Sequence, residues 1–393
     1  MPLLRLRKQR NRAEAPQATA WSRLKSRAAA RFAVTKQQNN NTETPAPTST
    51  ATPQGKGLLH RVLSCFGKAE SRAPPDAPTS ETQPESPENY GHKGIKPKKF
   101  RTEKHLGTGG QGGVYVARYP KKQRVPGAPK NFALKIADLG GEHPSNRELA
   151  FREYKLHKMV SGHRHIATMY TGFSSNWRTP RSYLLTELLH GGDLHDLCKE
   201  WSAGLPQKVA LEIAEQICQA LVHMHHRGVA HCDIKPANVL LAHEFNATGS
   251  NVVKVVDFGF ALKFTRPSDG SAPTKTRIPG GTSCFMSPEA LENKPLDPTQ
   301  LDVYSLGILM CLLLGGKSPF AVPNEDANNP QAHLRARTEF NTRRDFVEAQ
   351  EWNDVAPRLK SFIGLMLSSN PAYRPSALSV LWFLSTFHVV DNG

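Results

Sequence analysis

One octapeptide and one tripeptide constrain this chain more than anything else in it. The first is His231-Cys232-Asp233-Ile234-Lys235-Pro236-Ala237-Asn238, and nineteen residues after its Asn comes Asp257-Phe258-Gly259. Phosphoryl transfer from a nucleotide asks for few protein groups: a carboxylate to orient and deprotonate the attacking hydroxyl, and oxygen ligands for a divalent cation. Asp233 is the candidate for the first, Asn238 and Asp257 for the second. Either segment alone is weak evidence. Their order and spacing carry the weight, with further motifs in register around them.

Upstream, Gly107-Thr108-Gly109-Gly110-Gln111-Gly112-Gly113-Val114 follows a short β-like segment and leads into Tyr115-Val116-Ala117. Glycines let the backbone approach a triphosphate closely, with peptide N–H groups facing its oxygens. Such a run can also open a dinucleotide site, but a helix should then follow it. Here Val114-Tyr115-Val116 is β-like instead. Ala133-Leu134-Lys135 sits on the next apolar strand, where a lysine is costly unless paired.

Together these segments resemble the catalytic domain of eukaryotic-type serine/threonine protein kinases, over roughly residues 100–388. The resemblance implies a two-lobed α+β fold and the cofactors ATP and Mg²⁺. It makes Asp233 the base and Lys235 the neutraliser of the γ-phosphate, with Asn238 and Asp257 as metal ligands. Lys135 would touch the α- and β-phosphates, held by a glutamate from the following helix; Glu153 is the choice and Glu148 the alternative. In the nucleotide pocket the resemblance places Leu106, the loop Gly107 to Val114, Ala133 and Leu240. Tyr183 to Leu189 would form the fifth strand and a hinge that meets adenine through its backbone, with Thr186 guarding the back and Glu187 and Leu189 on the hinge. Asp193 has two readings, a ribose contact or a helix N-cap.

Gly281-Thr282-Ser283-Cys284-Phe285-Met286-Ser287-Pro288-Glu289 resembles the end of an activation segment, with Ser287 in place of the usual Ala. Asp302, in Asp302-Val303-Tyr304-Ser305-Leu306-Gly307, resembles the helix residue that holds the catalytic-loop backbone, and Arg374 matches the arginine that pairs with Glu289. Metabolite kinases lack that pair, so a protein substrate is expected. Two departures stand out: Gln111 at the tip of the glycine loop, and Cys232 where most loop-regulated kinases carry an arginine. That arginine binds a loop phosphate through a charge-assisted contact, which a thiol cannot make. Leu262 replaces a second cation often found there; Arg266, Lys275 and Arg277 are candidate substitutes. The expectation is an active kinase that does not depend on loop phosphorylation. A pseudokinase scaffold and a metabolite kinase are the rival readings.

Net charge is +17, but ten basic side chains against Glu14 alone between Arg5 and Lys36 account for +9 of it, so the charge describes an arm. From Gln37 to Glu88 the chain is rich in Asn, Thr, Pro, Ser and Ala, a composition that buries too little apolar area to order. We therefore divide the chain into a disordered arm, 1–99, and a catalytic domain, 100–388. The first 36 residues have three readings: a solvated tail, a contact to an anionic surface, nucleic acid or partner protein, or an export or targeting segment. Nothing indicates specific nucleic-acid recognition. Leu58 to Phe66 places apolar residues on one helical face, either an inconsequential transient helix or a docking helix with Cys65 as an acylation position. Six cysteines without a Cys-x-x-Cys pair read as reduced thiols, and the apolar run Leu306 to Leu314 is well short of the ~20 residues of a membrane span. A soluble cytoplasmic protein is expected, with an exported effector acting in a host cell as the alternative.

Overall fold

The computed structural model describes residues 100–109, 112–118, 129–139, 145–174, 181–266, 273–320, 322–342 and 355–390. The expectations for the arm and for Gly110 and Gln111 fall outside the described residues.

Five antiparallel strands open the fold: β1 (Arg101–Gly109), β2 (Gly112–Arg118), β3 (Asn131–Asp138), β4 (Met169–Ser174) and β5 (Arg181–Thr186), in the order β1-β2-β3-β5-β4. Alternation along β3 decides which face does what. Phe132 and Leu134 are buried against Ala117 and Leu185, with Phe132 edge-on to Tyr170 at 5.2 Å. Ala133 and Lys135 therefore fall on the opposite face. Helix α1 (Ser145–Val160) packs on the sheet with Glu153, Tyr154, Leu156, His157 and Val160 buried, the helical repeat expected from Arg147 onward.

The strand expected over Ile166–Tyr170 begins only at Met169. Ile166 instead bridges Val255, and the Ala167 N–H donates to Val255 O at 3.0 Å, so this stretch stitches the sheet to the helical part.

After the sheet come α2 (Leu194–Glu200), α3 (Gln207–His226), the short strands β6 (Val229–Ala230), β7 (Val239–Leu241), β8 (Val253–Val255) and β9 (Leu262–Lys263), then α4 (Pro288–Leu291), α5 (Pro298–Gly315), α6 (Pro330–Thr342), α7 (Pro357–Met366) and α8 (Ala377–Val390). Strands first and helices after is the α+β, two-lobed kinase arrangement expected. Helix α5 is apolar on every side because it is surrounded. By length and composition it would reach across a membrane, but 89% of it is buried inside the protein, which makes it a core helix. No other described helix is long and apolar enough. Asp297 caps the start of α5 by accepting the Thr299 N–H at 2.9 Å. Gly316 ends it at φ +69°, where an added Cβ would strike Ser202 O.

Candidate active site

Register brings the key residues together. In the β7–β8 hairpin Val239 lies opposite Val255, so the residues flanking the hairpin, Asn238 and Asp257, emerge at the same end. The Val256 N–H donates to Asn238 O at 2.9 Å and fixes that junction.

Asp302 of α5, fully buried, organises the octapeptide. Its carboxylate accepts the N–H groups of His231 at 2.9 Å and Cys232 at 2.7 Å, and lies 2.8 Å from His225 Nε2. Cys232 is held at φ +62°, a left-handed conformation unusual outside glycine, and its stabilisation by Asp302 is what aims the next residue across the cleft. That residue, Asp233, accepts from Thr282 Oγ1 at 2.7 Å and the Thr282 N–H at 2.9 Å on Oδ1, and from Asn238 Nδ2 at 2.9 Å on Oδ2. Lys235 Nζ stands 2.8 Å from Asp233 Oδ2 and 2.7 Å from Thr282 Oγ1. Carboxylate, ammonium and hydroxyl thus form one cluster.

Lys135 Nζ donates to Glu153 Oε1 at 2.7 Å and Asp257 Oδ1 at 2.8 Å. Glu148, by contrast, is exposed in the first turn of α1. Burial alone would lower the Lys135 pKa; the two carboxylates outweigh it, so the ammonium is held protonated. Burial likewise works against an ionised Asp257, yet the adjacent Lys135 brings its pKa below the usual carboxylate value. Phe258 is fully buried, stacked on His157 at 4.3 Å and edge-on to His231 at 5.0 Å, which links α1 to the octapeptide through one side chain. Burial pushes the His157 imidazole down to about 4, so it is neutral and donates from Nε2 to Ala167 O at 2.7 Å.

On the glycine loop, β1 and β2 pair as Gly107 with Val114, Thr108 with Gly113 and Gly109 with Gly112. Gly112 sits at φ +148°, and a Cβ there would collide with Ile136 O, so no other residue fits. Leu106 is exposed on β1, while Val114 and Ala133 are half-buried. Val114 lies across from Lys135, and Ala133 across from Thr186. Leu240 on β7 bridges Asp193. Of the two readings of Asp193, the N-cap is what the structure displays: Oδ1 accepts the Asp196 N–H at 2.9 Å. The Glu187 side chain is spent on Lys254, at 2.7 and 2.8 Å, and on the Thr168 N–H, and its own N–H donates to Thr168 O at 2.9 Å, so only its C=O is left for the cleft. Among the described residues no backbone group pairs with Glu187 C=O or Leu189 N–H.

Away from the cleft, Arg374 grips Glu289 with both nitrogens, at 2.6 and 2.8 Å. Cys232 lies in an apolar cluster with Ala230, Phe264, Ala290, Leu296 and Leu301, and Leu262 packs against it. Burial raises the Cys232 thiol well above its ordinary value. Of the three substitute cations, Arg277 is turned to Asn293 O at 2.8 Å. Sequence reasoning passed over Arg152, whose Nη2 lies 3.5 Å from Gly259 O, and Thr282, whose hydroxyl completes the cluster. The position of Arg152 directly before Glu153 was the one signal for it; Thr282 stood in a quoted motif without a role.

A sequence profile of the protein kinase domain matches residues 100–383. The chain belongs to that family. Among curated kinases, a probable myosin light chain kinase of Dictyostelium discoideum is 32% identical over 244 residues, 62% of this chain and 57% of that protein. The serine/threonine-protein kinase PknB of Mycolicibacterium smegmatis is 30% identical over 270 residues, 68% of this chain and 39% of PknB. MAP kinase-activated protein kinase 2 of Drosophila melanogaster is 30% identical over 273 residues, 68% of each chain. The chain thus spans only part of the length of these relatives, in the first two cases about half or less. Membership of the kinase family implies dependence on a nucleotide and a divalent metal.

Proposed function

We propose that this kinase transfers the γ-phosphoryl group of Mg-ATP to Ser or Thr hydroxyls of protein substrates. One observation carries the reading: Asp233, Lys235, Asn238 and Thr282 form one set of short polar contacts and Lys135, Glu153 and Asp257 a second, the two brought to one end of the β7–β8 hairpin, with no member of the catalytic set missing. A scaffold has no need of that set.

Asp233 orients the acceptor hydroxyl and takes its proton as the oxygen attacks phosphorus and the bond to the departing diphosphate breaks. Lys235 faces the transferred phosphoryl group, and Lys135, positioned by Glu153, faces the other phosphates. Asp257 and Asn238 would hold Mg²⁺. The donors fit: a carboxylate and an amide oxygen are hard ligands, and Asn238 uses Nδ2 for Asp233, which leaves Oδ1 out of those bonds. When bound, the metal supplies neutralisation of phosphate charge. The glycine loop Gly107 to Val114, with Leu106, Ala133, Thr186 and Leu240, encloses the nucleotide, and the Glu187 C=O and Leu189 N–H, which pair with no backbone group among the described residues, suit the adenine edge.

The bidentate Glu289–Arg374 pair supports a protein rather than a metabolite acceptor, by anchoring the segment on which a polypeptide would lie. Burial of Cys232 in an apolar cluster, with the partly buried Leu262 packed against it, supports activity without a loop phosphate, since neither side chain can answer one. We assign catalysis to residues 100–388. The basic stretch Arg5 to Lys36 is assigned a contact with an anionic surface or a partner protein, on the strength of its charge. The test is incubation with γ-labelled ATP and a degenerate peptide library. Label on Ser and Thr supports the reading; label on Tyr alone, or on small molecules alone, overturns it.

A further inference from the structure

The four residues after Thr282 are held from behind by a side chain that no catalytic role requires. Arg337 of α6 is fully buried, yet among the described residues no carboxylate pairs with it. Its donors go mainly to backbone carbonyls: Nε to Met286 O at 2.7 Å, Nη2 to Cys284 O at 2.9 Å and Ser283 O at 3.3 Å, and Nη1 to His333 O at 2.9 Å within its own helix; the Tyr304 hydroxyl is a further hydrogen-bond partner. Ser305 Oγ donates to the remaining carbonyl, Phe285 O, at 2.8 Å. Every carbonyl from Ser283 to Met286 is therefore claimed by a side chain of the helical lobe.

The guanidinium also lies over the Phe320 ring at 4.5 Å; Phe320 stacks on Tyr304 at 6.1 Å and 5°, and Arg374 lies over Tyr304 at 4.8 Å. A stacked column thus runs from Arg337 to the arginine that grips Glu289. A buried cation without an anion is expensive, and burial draws the Arg337 pKa down. Four carbonyl dipoles, the Tyr304 hydroxyl and an aromatic face are what make it tolerable. The planar fork can reach all three turn carbonyls at once; an ammonium cannot.

We infer that Arg337 is the positioning residue of the acceptor-side turn. By fixing Ser283–Met286 it sets where Thr282 meets Asp233 and Lys235, and where the acceptor polypeptide lies. The inference rests on the protein-kinase reading above.

The test uses the full chain with Arg337→Lys and, as a gentler second variant, Ser305→Ala. Steady-state kinetics with a Ser/Thr peptide should show the KM for peptide raised at least tenfold in Arg337→Lys and about threefold in Ser305→Ala. The KM for ATP should stay within twofold in both. Amide hydrogen exchange over Thr282–Ser287 should be at least tenfold faster in Arg337→Lys, or, if that variant does not fold, measurably faster in Ser305→Ala. Faster exchange in an inactive wild-type background would sink the kinase reading but keep the turn assignment. Unchanged exchange, or equal loss of peptide and ATP affinity, overturns the inference.

Discussion

Removing Arg374 should damage the fold far more than its distance from Asp233 suggests. Its side chain is 0% exposed and that of Glu289 13%, with bonds of 2.6 and 2.8 Å between them. Arg374 Nε also donates to Ser368 O at 2.8 Å, and the guanidinium lies over Tyr304. Arg374→Ala leaves a largely desolvated carboxylate, an unmatched carbonyl and a bare aromatic face. Breaking one side of a buried pair costs about 3–5 kcal/mol. That is a large share of the ~5–15 kcal/mol that keeps a domain folded. At about 2–3 °C per kcal/mol for a domain of this size, the melting temperature should fall by roughly 6–15 °C. Burial pushes the Glu289 carboxyl up, but Arg374 pulls it further down, so its folded pKa is depressed. A depressed carboxylate stabilises above its unfolded value and loses that contribution as pH falls through the folded one. The gap between wild type and Arg374→Ala should therefore narrow in acid, below the ordinary glutamate value of 4.5. Circular dichroism melts at two pH values measure this. The double variant Glu289→Gln/Arg374→Met should recover about half of the loss, because no lone charge remains buried. A melting temperature for Arg374→Ala within 2 °C of wild type, roughly 1 kcal/mol or less, would refute the reasoning.

Changing Thr265, Ser268, Ser271, Thr274 and Thr276 together to Ala should leave peptide phosphorylation within a few-fold of wild type, because Cys232 and Leu262 offer a loop phosphate no cation; a dead variant would give that role to Arg152, Arg266 or Lys275. His157→Gln should flatten the acid limb of stability. The neutral imidazole, at about 4 against an ordinary 6.5, stabilises fully above 6.5 and loses about 3 kcal/mol as pH falls to 4; identical urea midpoints across that range in both proteins would contradict it. A chain starting at Glu88 should keep its peptide-kinase rate and melting temperature, and a large drop in both would move the domain boundary.

What was legible in the sequence was whatever depends on a short motif or a strong period. Phe132 and Leu134 alternate with Lys135, so β3 and the inward lysine could be read directly. Glu153 could be preferred over Glu148, and lies 2.7 Å from Lys135. Helix α6 was not anticipated: Pro330–Thr342 is mostly polar, and the most deeply buried of its described side chains is Arg337, a residue that sequence patterns assign to solvent. The bridge from Ile166 to Val255 was read as strand because a β-branched residue in an apolar stretch looks the same in either setting. A cation for a loop phosphate was sought among Arg266, Lys275 and Arg277 of the segment itself, whereas Arg152 reaches Gly259 O, at the start of that segment, from helix α1 at 3.5 Å. Contacts of that kind are set by tertiary packing, and no local pattern announces them.

The central claim is that these contacts perform phosphoryl transfer. The most direct measurement compares wild type with Asp233→Ala for peptide phosphorylation and, by calorimetry, for Mg-ATP binding. Loss of a general base should lower the rate about 10²–10⁴-fold, while nucleotide affinity stays within a few-fold. Equal phosphorylation by the two proteins, or nucleotide binding by a wild type that transfers nothing, would contradict the account.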